Sequence, residues 1–269
     1  MTNTNTISNF NLREEIRDYW GKRAETFDSQ PGHEIFSEDE RQAWFRLFKK
    51  HLGAGDGRRV LDLASGTGVV SHLLDDLKFD VTGMDWAEPM LALAREKALV
   101  RQRSIRFLLG DAEQTMEPSE HYDALTCRHL VWTLVDPAAA FAEWHRILKP
   151  GGCLLVVDGD FVNPGPVARL ISRLSCWFKQ AGVPNLEWAD DAAADMQSIH
   201  RSILSRVHFS KGARAEAVAA LLKEAGFRKV SIDTDLKAIH RAQRPHLPFF
   251  KGWERTTQHR YAICAVKED

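Results

Sequence analysis

The chain has 269 residues, enough for one large α/β domain with an embellishment. Its 36 basic and 37 acidic residues leave a formal net charge of −1, so no global field favours nucleic acid or an anionic membrane, and a small or neutral partner is expected. Four scattered cysteines, the lack of a secretory leader pattern and the lack of an apolar run long enough for a bilayer together predict a cytoplasmic protein without a metal site.

Two helices are predicted ahead of the first strand. The segment that contains them, residues 1–54, is expected to close the ligand site of the core that follows. Residues 1–9 are polar and are expected to be disordered. Large apolar side chains then recur at helical spacing: Leu12, Ile16, Tyr19, Trp20 and Phe27. The second helix follows Ser37, a predicted N-cap, and Glu40 is expected to complete the capping box.

From residue 55 onward, short apolar runs alternate with amphipathic stretches. Strands are predicted at about 58–64, 80–85, 104–109, 121–127, 152–158, 228–234 and 260–266, and helices at about 68–77, 87–99, 137–148 and 212–225. This alternation predicts an α/β, Rossmann-like fold whose mainly parallel seven-stranded sheet has helices on both faces. The core is assigned to residues 55–159 and 212–269. Ligands of such sheets bind at the carboxyl ends of the strands, where the strand order reverses.

Residues 160–211 interrupt the alternation. They contain two stretches of helical period, "GPVARLISRLSCWFKQAG" and "DDAAADMQSIHRSILSRV", in place of a connection of about two to six residues. A helical lid over the strand ends is the preferred interpretation, because loops at that edge usually face the ligand. A helical insertion that packs on the sheet edge without a functional role is the alternative.

The stretch "VLDLASGTGVVS", residues 60–71, joins the first strand to a helix through a glycine-rich turn. Gly66 and Gly68 permit positive φ and remove side chains where a ligand approaches the main chain. A dinucleotide site of the G-x-G-x-x-G type would place a third glycine where Ser71 stands, and no P-loop lysine follows. A nicotinamide-dependent oxidoreductase and a turn without a ligand therefore stay open at this point.

Three successive strands end in or carry an acid: Asp62, Asp85 and Asp111. Asp85 stands 17 residues after Gly68, where a carboxylate usually accepts both ribose hydroxyls. Because like charges repel, carboxylates do not gather at one edge for stability. A ligand that carries amines and hydroxyls would satisfy them.

These residues resemble class I S-adenosylmethionine-dependent methyltransferases, and in particular the small-molecule branch that includes the quinone-ring enzymes. The likeness covers roughly residues 55–160 through five stretches in order: "VLDLASGTG", "VTGMDWAEPML", "LLGDAE", "YDALTCRHLVWTLVDP" and "ILKPGG". The opening "YWGKRAETFD" is similar to the N-terminal helix of the same branch. The resemblance implies S-adenosylmethionine as the cofactor and a small molecule as the methyl acceptor. A non-catalytic module that binds the cofactor is the remaining alternative.

The resemblance also implies which residues bind the methionine and ribose parts of the cofactor. Gly66 and Gly68 pass the methionine part over bare backbone, and Ala64 belongs to the same turn. Asp62 orients the methionine part through its ammonium group or a water molecule. Asp85 holds the ribose hydroxyls.

At the adenine end, the resemblance implies a second group of residues. Trp86 and Met90 pack on the ring, Asp111 accepts from the amino group, and the Ala112 backbone N–H donates to a ring nitrogen. Tyr19 closes the cofactor from the N-terminal side. Trp86, Met90 and Tyr19 have core packing as an alternative role.

Arg128 and His129 end the fourth strand, and the resemblance places both near the transferable methyl group. His129 is the candidate general base, with orientation or packing as its alternative role. The surrounding "CRHLVW" departs from the motif of enzymes that methylate amino groups of DNA or of protein glutamine, so those substrates are disfavoured. The acceptor atom and the oligomeric state, a homodimer included, stay open.

Overall fold

In the computed structural model of this protein, residues 4–180 and 194–268 are described. Within these ranges one seven-stranded sheet has the order β3-β2-β1-β4-β5-β7-β6. The strands are β1 Arg59–Leu63, β2 Asp80–Asp85, β3 Arg106–Leu109, β4 Tyr122–Arg128, β5 Leu148–Asp160, β6 Arg228–Asp233 and β7 His259–Val266. The helices are α1 Thr4–Phe27, α2 Glu38–Leu52, α3 Val69–Asp76, α4 Glu88–Val100, α5 Pro137–Ile147, α6 Pro166–Gln180, α7 Ala194–Arg206, α8 Ala215–Glu224, α9 Lys237–Gln243 and α10 Phe249–Thr257.

Strands β1 to β5 pair in parallel, and β7 pairs antiparallel with both β5 and β6. The strand order reverses between β1 and β4, where Leu63 lies beside Cys127 on one side and Met84 on the other. The carboxyl ends of these strands therefore lie at one level and open a crevice at the edge that the sequence predicted. The Rossmann-like α/β fold is confirmed.

The sheet is covered on both faces, which explains why its strands read as nearly continuous apolar runs. Successive residues of β1 point to opposite sides: Leu61 joins a core with Trp144 of α5, and Val60 joins a core with Phe48 of α2. All four of these side chains are 0% exposed. Burial of such side chains supplies about 1.5–3 kcal/mol each or more, so the two faces hold the sheet in one register.

Helix α1 begins within the segment 1–9 that was predicted to be disordered. Its first residue is Thr4, so the prediction of disorder was wrong for residues 4–9. The physical reason is that a helix nucleated by the packed segment from Leu12 onward extends at little cost per residue, whereas nucleation is costly.

Helix α2 begins at the predicted N-cap but without the full capping box. The Ser37 hydroxyl accepts a hydrogen bond from the Glu40 backbone N–H at 3.2 Å, as expected. The carboxylate of Glu40, however, accepts from the Phe36 N–H at 3.3 Å and from the Gln243 side chain at 2.7 Å. Glu40 therefore joins α2 to α9 and does not return to its own N-cap.

Four helices interrupt the alternation of strands and helices that forms the core. The two helical stretches predicted within residues 160–211 correspond to α6 and α7, and their inner ends at 181–182 and 190–193 lie outside the described residues. Helices α9 and α10, between β6 and β7, were not predicted. Among the helices of the described ranges, none combines the length and the hydropathy that a bilayer span requires.

Candidate active site

A cavity of about 720 Å³ lies at the carboxyl ends of β1, β2 and β4. Helix α1 contributes Tyr19, Trp20 and Phe27 to its wall, and α7 contributes Met196 and His200. The Tyr19 and His200 rings stack at 5.4 Å between centroids, so these two helices meet over the cavity. Residues of α10 and β7 close the side opposite to the glycine turn. The space is large enough for a nucleoside and a second small molecule.

The two glycines of the turn after β1 face different surroundings: Gly66 faces the cavity and Gly68 faces the packed interior. Ala64, Gly66 and Gly68 have φ of +53°, +55° and +82°. Gly66 lines the cavity, and a Cβ added there would approach Phe27 at 3.7 Å. A Cβ on Gly68 would instead lie 3.0 Å from the Phe107 ring, away from the cavity. Gly68 thus lies outside the cavity wall, and its missing side chain leaves room for Phe107 of β3.

Asp62 lies on β1 beneath the turn and is 1% exposed. The Ser71 hydroxyl donates to its Oδ2 at 2.6 Å, which gives a structural role to the residue at the third-glycine position. Burial raises the pKa of Asp62 to about 7, although the Ser71 hydrogen bond and Arg128 act in the opposite direction. A cationic ligand group would favour the ionised form.

Asp85 ends β2 and organises the turn as well as the cavity wall. Its two carboxylate oxygens accept from the Gly66 N–H at 2.9 Å and from the Ala87 N–H at 2.8 Å. Burial raises the pKa of Asp85 to about 6 in spite of these hydrogen bonds. Trp86 and Met90 follow it and line the same cavity.

The third acid, Asp111, is already engaged by the N-terminal helix. Arg13 of α1 donates to Asp111 at 2.7 Å and to Glu113 at 2.5 Å. The Glu113 backbone N–H donates to the other oxygen of Asp111 at 2.8 Å. Beside them, the indole N–H of buried Trp144 donates to the Ala112 carbonyl at 2.7 Å and fixes the loop after β3. Arg13 thus ties α1 to this end of the cavity.

Another part of the cavity wall is basic. His33 stacks on Phe27 with centroids 4.1 Å apart, and the Arg128 Nη2 donates to the His33 carbonyl at 3.0 Å. Burial, followed by the charge of Arg128, lowers the pKa of His33 to about 3, and Arg23 and Arg255 act in the same direction. His33 is therefore neutral at physiological pH and is surrounded by guanidinium groups.

His129 follows β4 with φ of +58°, a left-handed conformation that is uncommon for a residue with a side chain. Its backbone N–H donates to the Val157 carbonyl at 3.0 Å, and Arg260 Nη1 lies 3.2 Å from its Nε2. Burial and the charge of Arg128 hold the pKa of His129 well below its usual range. A ring with its acceptor nitrogen facing a guanidinium is poorly suited to the general-base role that the sequence analysis considered.

Comparison with known proteins agrees with this geometry. The sequence profile of a family described as "Methyltransferase domain" matches residues 61–156, which run from β1 into β5 and carry all three acids. The chain is an S-adenosylmethionine-dependent methyltransferase, and over these residues it is similar to that family. The oxidoreductase alternative is therefore set aside.

Two relatives of this methyltransferase have names that refer to quinone methylation or biosynthesis. The demethylmenaquinone methyltransferase of Renibacterium salmoninarum is 29% identical over 217 residues, 78% of this chain and 84% of that protein. The ubiquinone/menaquinone biosynthesis C-methyltransferase UbiE of Pseudomonas entomophila is 27% identical over 221 residues, 79% of this chain and 83% of that protein.

A solved structure shares the fold of the methyltransferase. Phosphoethanolamine N-methyltransferase 2 of Haemonchus contortus, in complex with S-adenosyl-L-methionine, superposes with a TM-score of 0.64 at 14% identity. The match covers 93% of this chain and 57% of that one. At this level of identity the likeness concerns the fold.

The residues of the methyltransferase fit the cofactor of its class. The acids at one edge are acceptors for its ammonium, hydroxyl and amino groups. The Ser65 hydroxyl lies in the cavity wall, buried and without a hydrogen-bond partner among the described residues. Gly66 leaves the backbone of the turn open beside it. These are features that a bound nucleoside with an amino-acid tail would complete.

Of the site residues predicted from the sequence, all but Gly68 line this one cavity: Tyr19, Asp62, Ala64, Gly66, Asp85, Trp86, Met90, Asp111, Ala112, Arg128 and His129. Several lining residues of the methyltransferase were not predicted: Arg23, His33, Phe161, Arg255 and Arg260. The motif "YWGKRAETFD" contains Arg23 and offered a signal for it, whereas the other four stand in stretches without a motif.

Replacement of His129 tests its role. We expect His129→Asn to retain methyl transfer to within about tenfold and to leave the neutral part of the pH–rate profile unchanged, because Asn tolerates the left-handed conformation and can accept from Arg260. Loss of a general base would cost about 10²–10⁴-fold. Measurement of kcat against pH separates the two, and a loss in that larger range would restore the base role.

Proposed function

We propose that this methyltransferase acts on a small flat molecule held in the basic half of the cavity, with S-adenosylmethionine in the acidic half. The observation that carries the proposal is one cavity whose wall includes Asp62, Asp85 and His129 under the cover of α1 and α7. A site roofed by two helices suits a small acceptor better than a macromolecule.

An aromatic wall supports a flat acceptor. The Trp132 ring lies 6.3 Å from Trp20, 6.0 Å from Phe161 and 5.6 Å from His200, centroid to centroid, each nearly edge to face. Such a wall favours an aromatic or quinone-like ring, since ring contacts add about 0.5–1.5 kcal/mol per pair beyond area burial. The names of the quinone-related relatives agree with this substrate class.

The chain's own residues have distinct tasks in the reaction. The bound cofactor supplies an electrophilic methyl group on a sulfonium. Asp62 would hold the ammonium group and Asp85 the ribose, while Gly66 leaves its backbone bare for the methionine part. Asp111, already paired with Arg13, would also accept from the adenine amino group. The aromatic wall orients the acceptor, and exclusion of water with orientation supplies most of the acceleration, on the order of 7–11 kcal/mol.

We also propose that residues 160–211 act as a lid and residues 1–54 as a closing unit on the core. The contacts between α1 and α7 support this division. Ile16 of α1 and Ile203 of α7 are buried in one cluster, and Arg206 forms an ion pair with Glu15 at 2.7 Å. Both helices line the cavity, so a ligand bound there would contact both.

A substrate screen tests the proposal. Purified protein is incubated with S-adenosylmethionine and panels of phenols, quinol rings, amines and thiols, and products are read by mass spectrometry for a gain of one methyl group. We expect methylation within the ring panels. Tight cofactor binding with methyl transfer to none of the panels would contradict the proposed substrate class, and no cofactor binding at all would contradict the assignment of the site.

The raised pKa of Asp62 predicts a pH-dependent affinity for the cofactor. An ammonium group binds the carboxylate, so below the ligand-free pKa of about 7 binding must first ionise Asp62. Affinity therefore rises with pH, by about tenfold from about pH 6 to about pH 8. Because the pKa of Asp62 is higher in the ligand-free fold than in the unfolded chain, its contribution lowers the free energy of unfolding as pH rises from the ordinary pKa of 3.8 towards 7.

Calorimetric titration with S-adenosylhomocysteine across this range measures the effect. Asp62→Asn cannot ionise and should bind more weakly with a flat pH profile. An unchanged slope in this variant would remove Asp62 from the ammonium role.

A further inference from the structure

We infer that the methyl acceptor carries an anionic group, a carboxylate or a phosphate, which binds four arginines at the basic end of the cavity. This inference rests on the proposed function and goes further, since it specifies the charge of the substrate. The four residues, here named the arginine cluster, are Arg23, Arg128, Arg255 and Arg260, and all line the cavity.

The arginine cluster is held by neutral groups. Arg128 donates to the His33 carbonyl at 3.0 Å, and Arg255 donates to the Pro31 carbonyl at 2.9 Å. Arg23 and Arg260 donate to side-chain oxygens of glutamines, each at 3.0 Å. Within the parts of the chain that the structure describes, none of the four forms an ion pair with an acid. Their positive charges are therefore positioned by neutral acceptors, while the nearest acids, Asp62 and Glu40 for Arg128 and Glu40 for Arg255, act on them from beyond ion-pair distance.

Some donors of the cluster have no partner. Arg128 Nη1 and Arg23 Nε are buried and make no hydrogen bond to any described residue. The guanidinium of Arg255 lies on the bare backbone of Gly32, where an added Cβ would stand 2.7 Å from its Nη2. Buried donors and like charges held together are both unfavourable unless an anion joins them. Burial and the charge of neighbouring Arg128 lower the pKa of Arg255 to about 10, although the charges of Glu40 and Glu254 act in the opposite direction.

The cofactor alone does not account for the cluster. The amino-acid tail of S-adenosylmethionine has one carboxylate, which one guanidinium on the α1 or β4 side can pair with. Arg255 and Arg260 come from α10 and β7 instead, and Arg260 contacts His129 at 3.2 Å. These two remain for a second anion beside His129.

The histidines and acids that line the cavity do not compete with a second anion for these arginines. Burial and the charge of Arg128 lower the pKa values of His33 and His129, so neither ring adds a positive charge. Among the acids that line the cavity, Asp111 and Glu113 pair with Arg13, and the proposed function assigns Asp62 and Asp85 to the cofactor. Glu254 also lines the cavity but forms no ion pair with the cluster. An aromatic acid would meet both the ring wall and the arginines.

Binding of simple aromatic probes to the protein loaded with S-adenosylhomocysteine tests the inference without knowledge of the substrate. Benzoate and benzamide have the same shape and differ in charge, and phenyl phosphate separates a phosphate preference from a carboxylate preference. Calorimetric titration should show benzoate or phenyl phosphate binding at least tenfold more tightly than benzamide. Equal affinity of the three probes would overturn the inference.

Variants locate the effect. Arg255→Gln and Arg260→Gln should each weaken the anionic probe about tenfold or more and leave benzamide unchanged, and Arg260→Lys should recover part of the loss. Arg241→Gln is the matched control, because Arg241 is exposed on α9 and outside the cavity wall. Wild-type probe affinity in both cluster variants would contradict the proposed site.

The two levels of the proposal fail in different ways. If S-adenosylhomocysteine itself does not bind, the proposed function fails. If it binds with normal affinity in every variant while the charged and neutral probes bind alike, only the anionic acceptor fails. Melting temperatures and S-adenosylhomocysteine affinities of the variants are measured alongside, and Arg260→Lys keeps the test decisive should a glutamine variant fold poorly.

Discussion

Gly66→Val is expected to abolish binding of S-adenosylmethionine, with at least a 100-fold rise in Kd, while the fold survives. Gly66 has φ of +55° and faces the cavity, so a branched side chain would both strain the turn and occupy the space beside Phe27. Its N–H also donates to Asp85, and strain there would disturb that carboxylate. Kd is measured by calorimetric titration and the melting temperature by circular dichroism.

Gly57→Val is the matched control for this variant. Gly57 has φ of +76°, and a Cβ added there meets nothing within 4 Å. It should therefore reproduce the backbone strain, on the order of 1–2 kcal/mol, without loss of cofactor affinity. Normal affinity in Gly66→Val would contradict the placement of the cofactor at this turn.

Asp85→Ala is expected to weaken S-adenosylmethionine binding by about 1–3 kcal/mol, roughly 5-fold to 150-fold in Kd, because charged hydrogen bonds to the ribose are lost. The structure adds a second cause. The carboxylate accepts from the Gly66 and Ala87 backbone N–H groups, so the alanine variant also leaves two buried donors without a partner. Calorimetric titration gives the Kd, and chemical denaturation gives the free energy of unfolding.

Two further substitutions separate these causes. Asp80→Ala removes an exposed carboxylate at the other end of β2 and should change neither quantity. Asp85→Asn keeps one acceptor oxygen and loses the charge, so it should restore much of the stability and little of the affinity. An unchanged Kd in both Asp85 variants would remove this residue from the ribose role.

The parallel core was predictable because its strands are buried on both faces and end at acids. Strand β2 was predicted at its observed bounds, and Asp62, Asp85 and Asp111 were correctly expected at one edge. The reason is local: an apolar run that ends in a glycine turn or a carboxylate is recognisable within about ten residues. Gly68 shows the limit of such reading, since the same residue type serves packing against Phe107 there.

The basic end of the cavity could not be predicted in this way. His33 stands in a connection, Arg255 on a helix that was not foreseen, and Arg260 on a strand predicted without its direction. They meet only because β7 runs antiparallel beside β5, which brings Arg260 opposite Gly159 near the end of β4. Contacts between segments over 200 residues apart, such as Arg255 with Pro31, leave no mark in local sequence.

The position of β7 between β5 and β6 also has a consequence for biosynthesis. Strand β6 leaves the ribosome before β7 and has no edge to pair with until β7 follows, because β7 is its neighbour in the sheet. The N-terminal half of the sheet can form earlier from contacts closer in sequence. The same late strand carries Arg260, so the nascent chain acquires its glycine turn well before its basic wall.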